Sequence, residues 1–105
     1  MLETELEALR EQIDELAHGA APIAAWYRMR DHVSEVIVHG QLRVMALRRE
    51  MIRKARSSTP NWSWFETHAG MHEVREQLDQ LALLRMCVDS RIFELETHEV
   101  SAHAE

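Results

Sequence analysis

The chain has 105 residues, 46% of them hydrophobic, and a formal charge of −6 at pH 7. That length suits one small domain, and the apolar share argues against wholesale disorder. The negative balance disfavours non-specific nucleic-acid binding by the chain as a whole. With three glycines, two prolines and few β-branched residues, the composition points away from β structure. The acidic start, Met1-Leu2-Glu3-Thr4-Glu5, has no apolar core segment of the kind a signal peptide carries. No apolar run reaches membrane-spanning length, so a cytoplasmic protein is expected, or one exported by a route that needs no cleaved signal.

The first predicted helix covers residues 2–18. Leu2, Leu6, Leu9, Ile13 and Leu16 step by four and three, a heptad seam. Its other face carries six carboxylates against Arg10 alone. A helix this short does not stand alone in water, so its seam must pack on the rest of the chain or on another copy. Gly19 is the expected left-handed cap. Pro22 suits the first turn of the next helix.

The second helix is predicted over 22–56. One apolar line runs Trp26, Arg30, Val33, Ile37, Gly40, Val44, Leu47, Met51. A neighbouring line runs Val38, Leu42, Met45, Arg49, Ile52. Two adjacent lines make an apolar face broader than one partner helix needs. Gly40 in mid-helix costs up to about 1 kcal/mol relative to Ala. Close approach of another helix is the expected compensation.

Ser57-Ser58-Thr59-Pro60-Asn61 is too short to divide domains, so the flanking helices should form an antiparallel hairpin. The third helix is predicted over 63–98, with Ser63 and Glu66 as a capping box. Thr59-Pro60 offers a start one turn earlier. Its seam runs Trp64, Met71, Val74, Leu78, Leu81, Val88, Ile92, Leu95, with His68 in register and Leu84, Met86 and Cys87 widening it. Cys87 is the only cysteine, so no internal disulfide forms. Its apolar neighbourhood predicts a buried thiol. Beyond His98 the chain turns small and polar and should fray.

The expected architecture is therefore all-α: one domain over 1–105, a long hairpin with a shorter helix folded on it. Apolar surface left over favours a homodimer completing a helical bundle, with Gly40 and Val36-Ile37-Val38 near the interface.

Two features at the hairpin tip point to a partner. Arg43, Arg48, Arg49, Arg53, Lys54 and Arg56 stand against Glu50 alone, whereas residues 89–105 set five carboxylates against Arg91. Arginines in such a cluster can pair with carboxylates or phosphates, though cations also stabilise a helix C-terminus. Trp62, Trp64 and Phe65 put three rings within four positions, and Trp is enriched at binding hot spots. The contact set expected from these features is Trp62, Trp64, Phe65, Arg48, Arg49, Arg53, Lys54 and Arg56. It suits an unidentified protein partner or self-association. The Arg43–Arg56 stretch leaves a nucleic-acid-binding dimer as the alternative.

Among seven histidines, His68 and His72 stand one turn apart, the spacing of a two-His metal edge. They are weak candidates, since neither is expected to face a further carboxylate or His. No cofactor is implied. No phosphate loop, nucleophile elbow or Cys-His pattern appears, so an enzyme is not expected. Leu6-Glu7-Ala8-Leu9-Arg10-Glu11-Gln12-Ile13-Asp14 resembles the opening of all-helical chorismate mutases over that helix only. Gly19 and Pro22 then interrupt what is one long helix in that family. The hairpin with its tip tryptophans is similar in shape to small secreted helical hairpins of the Trp-x-Gly class, with Trp62-Ser63-Trp64 at the turn.

Overall fold

The computed structural model describes residues 2–56 and 62–104. They form three helices and no strand: α1 (Leu2–His18), α2 (Ile23–Ala55) and α3 (Trp62–Ala104). The bounds follow the apolar periodicity to within a residue, except at the end of α3. There the helix runs past His98, where no Gly or Pro stops it. The break over 57–61, with its Thr59-Pro60 start, lies outside the described residues. The molecule is an elongated rod of 71 × 22 × 15 Å.

The first turn between helices differs in detail from its sequence signal. Gly19 donates to the Glu15 carbonyl at 2.9 Å, and Ala21 donates to the Leu16 carbonyl at 3.1 Å. That six-residue closure is a Schellman motif, and it places the left-handed position one residue on, at Ala20, with φ 49°. Gly19 itself has a negative φ. Pro22 is the extended N-cap (φ −67°, ψ 158°) rather than the first helical residue. The same ring constraint that suits a helix start also suits the residue just before it.

The antiparallel hairpin of α2 and α3 is registered at three heights. Tyr27 donates its hydroxyl hydrogen to Glu96 near the open end. Gly40 sits against Leu78 in the middle. Lys54 meets Ser63 and Thr67 at the tip. Helix α1 lies along the open half, antiparallel to α2. Leu2 reaches Gly40, and Arg10 donates to the Gln80 amide oxygen at 2.6 Å.

The core lies where three helices meet. Leu6 and Leu9 of α1, Trp26, Met29, Val33 and Val36 of α2, and Leu81, Val88 and Ile92 of α3 form one buried cluster. Val33, Leu81 and Val88 have no exposed surface at all. Gly40 is the last buried residue of α2, because α1 begins beside it. Beyond that height only two helices remain, and Val44, Leu47 and Met51 are half-buried. The close approach expected at Gly40 is present: an added Cβ would lie 2.6 Å from Leu78 Cδ2 and 3.5 Å from Leu2 Cδ2.

Three expectations change. Gly40 and Val36 are buried within this chain, so they are not free to line an interface between copies; Val38 is exposed, and the other exposed apolar residues of α2 lie further on. Cys87 is exposed. It stands outside the three-and-four step that carries Leu81 and Val88 into the core, and its apolar neighbours Leu83 and Met86 are exposed with it. His68 is also exposed. The strict step back from Met71 lands on Thr67, which is buried at 8% exposure.

Candidate functional site

The tip is built from the last two turns of α2 and the first two of α3. Trp62 and Ser63 open α3, so Ser63 lies inside the helix and does not serve as its N-cap. Its hydroxyl is engaged elsewhere. Lys54 Nζ donates to Ser63 Oγ at 2.6 Å and to Thr67 Oγ1 at 2.8 Å, with the Ser63 carbonyl at 3.3 Å. The Thr67 hydroxyl in turn donates to the Ser63 carbonyl at 3.0 Å. Glu50 Oε1 lies 3.2 Å from the same ammonium. The only lysine of the chain thus ties the C-terminal end of α2 to the start of α3. Its charge, part of the expected contact set, is largely turned inward.

The remaining cations face outward. Arg43, Arg48, Arg49 and Arg56 are exposed. The Arg53 side chain is 75% exposed, with Glu50 Oε1 at 3.8 Å from its Nη2. Glu50 thus faces two cations, and in water so open a pair contributes little. The tip keeps a positive surface.

The rings divide as their exposure requires. Trp64 is half-buried, edge-on to Phe65 (centroids 5.1 Å, 90°) and stacked on His68 (5.5 Å, 17°). Phe65 remains 53% exposed and Trp62 75% exposed. A largely solvated indole, beside arginines that lack full neutralisation, is the surface feature of this chain that best fits an aromatic anchor.

The histidines do not converge. His68 packs on Trp64, whereas His72 points Nε2 at Glu76 Oε1, 3.3 Å away. That carboxylate, one turn along the same helix, corrects the expectation that His72 faces none. Among the described residues, no three His, Cys, Asp or Glu side chains gather where a metal ion could bind. Among those residues, too, no helix is long and apolar enough to cross a membrane.

Sequence reasoning missed the Lys54–Ser63–Thr67 clamp. Its signal was present: the seam step lands on Thr67, and a hydroxyl in an apolar seam needs a partner. The search for a family gives no further lead, since the chain matches no family model, no curated protein and no solved structure.

Proposed function

We propose that this chain is a non-enzymatic helical interaction module that self-associates and docks an acidic protein partner through its hairpin tip. The observation that carries the reading is Trp62, 75% exposed on the first turn of α3 beside the arginine-rich end of α2. Desolvating an exposed indole against a partner supplies much of a hot spot's energy. Arg48, Arg49, Arg53 and Arg56 would pair with carboxylates around it, giving orientation and faster association. Phe65 and the half-buried Trp64 extend the apolar contact. Lys54 shapes this surface by holding the two helix ends together.

The same exposed arginines support a second reading, a nucleic-acid-binding dimer with one basic tip per copy. The two readings separate in one titration. A labelled peptide alternating Glu and Leu, and a labelled DNA duplex of random sequence, are each added at low and high salt. The protein reading expects the peptide to bind, and the Trp62→Ala, Arg53→Ala variant to lose at least tenfold in affinity with helicity unchanged. Peptide affinity that survives the double substitution overturns the tip as the site. Duplex binding that falls steeply with salt, with no peptide binding, selects the nucleic-acid reading.

A further inference from the structure

The outer face of α2 holds a complete seam that none of the described residues covers. Asp31, Glu35, Val38, Leu42, Met45, Arg49 and Ile52 step by four and three over about six turns, and all are exposed. Val38, Leu42, Met45 and Ile52 each keep about half of their surface in water, at 49%, 57%, 50% and 49%. Helix α1 cannot cover them, because it packs on the opposite side of the hairpin, against Gly40 and Gln80.

The order of chemistry along this seam is directional. It is acidic at the N-terminal end (Asp31, Glu35), apolar in the middle (Val38, Leu42, Met45) and basic toward the C-terminal end (Arg49, with Arg53 beside Ile52). Neither Asp31, Glu35 nor Arg49 takes part in the ion pairs found among the described residues. A strip with this polarity complements itself when reversed. We propose that the occupant is a second copy of this chain, its α2 laid antiparallel on the first about a two-fold axis between Leu42 and Met45. This rests on the self-association in the reading above and gives it a surface.

In that arrangement Leu42 and Met45 of one copy meet Met45 and Leu42 of the other. Arg49 of each reaches Glu35 of the other, and Arg53 approaches Asp31. A parallel pairing instead stacks Arg49 on Arg49 and Asp31 on Asp31, which like-charge repulsion disfavours. The pairing would take Arg49 and Arg53 out of the tip contact set. Trp62, Phe65, Arg48 and Arg56 would remain for an acidic partner.

Light scattering coupled to size-exclusion chromatography on the full chain gives the first test, with a dimer as the expected result. Arg49→Glu should weaken dimerisation at least tenfold. Combining it with Glu35→Arg should restore the dimer, since each new carboxylate then meets a new guanidinium. All of these positions are exposed, so circular dichroism should stay unchanged. Register is read by oxidation in a Cys87→Ser background. Ile52→Cys chains should cross-link to Glu35→Cys chains when mixed, and not to themselves. A monomer throughout, a dimer indifferent to Arg49→Glu, failure of the reversed pair, or Ile52→Cys self-linkage overturns the proposal. The tip reading fails separately, by peptide binding that ignores Trp62→Ala in a chain that still dimerises.

Discussion

Gly40 decides where α1 can begin, and substituting it tests the packing directly. Alanine there gains helix propensity worth up to about 1 kcal/mol. Its Cβ, however, would stand 2.6 Å from Leu78 Cδ2 and 3.3 Å from Leu78 Cγ, well inside the separation of about 3.5–4.0 Å at which carbons pack. Leu78 is half-buried and packed against the core, and its Cγ as well as its Cδ2 lies inside that separation, so turning the terminal methyl alone does not clear the contact. Overpacking of this kind costs about 1–3 kcal/mol. The clash therefore outweighs the propensity, and Gly40→Ala should destabilise by about 1 kcal/mol net. Gly70 is the internal control. It is also in mid-helix, but a Cβ there meets nothing within 4 Å. Gly70→Ala should therefore stabilise by up to about 1 kcal/mol. Thermal unfolding followed by far-UV circular dichroism resolves the two, since about 1 kcal/mol moves Tm by about 4–8 °C in a domain of this size. In a Leu78→Ala background the cost of Gly40→Ala should disappear. If Gly40→Ala raises Tm as much as Gly70→Ala does, α3 does not approach α2 at this height and the register given above is wrong.

Two further outcomes follow from local chemistry. Lys54→Met removes the donor shared by Ser63 and Thr67 while keeping the stem's packing, and should cost about 1–2 kcal/mol in urea unfolding. A double-mutant cycle with Thr67→Val should give a coupling of about 1 kcal/mol, and independent effects would mean that the ammonium does not hold α3. Ala20→Gly relieves a left-handed alanine in the α1–α2 turn and should raise stability by about 0.5–1 kcal/mol; a loss would place the left-handed residue elsewhere.

The helices and their buried faces were legible because each apolar line had a period of three and four, and those of α1 and α2 ended at a recognisable break. Leu6 and Leu9, Trp26 and Val33, and Leu81 and Val88 could be assigned inward from spacing alone. Gly40 could be marked as a contact because an unfavourable residue in mid-helix needs a reason. The details that failed depended on one-residue phase. Thr67 took the inward place given to His68, and Cys87 fell outside the seam although its neighbours are apolar. The cap moved from Gly19 to Ala20 for a similar reason: the choice between adjacent residues lies in the closing hydrogen bond, not in composition. At the site, the rings and the arginines were evident from clustering. The inward turn of Lys54 was not, because its hydroxyl partners come from a helix that meets it only across the hairpin.

By itself, the sequence determined the number of helices, their approximate ends and their antiparallel order, since periodicity and a short break are properties of contiguous residues. Only the tertiary structure decided which of the two apolar lines on α2 is satisfied within the chain. α1 is long enough to cover the open half and ends its reach at Gly40. The line from Val38 to Ile52 is left in water because it faces away from both partner helices. No local pattern distinguishes a covered seam from an uncovered one; the difference lies in where a third helix happens to lie.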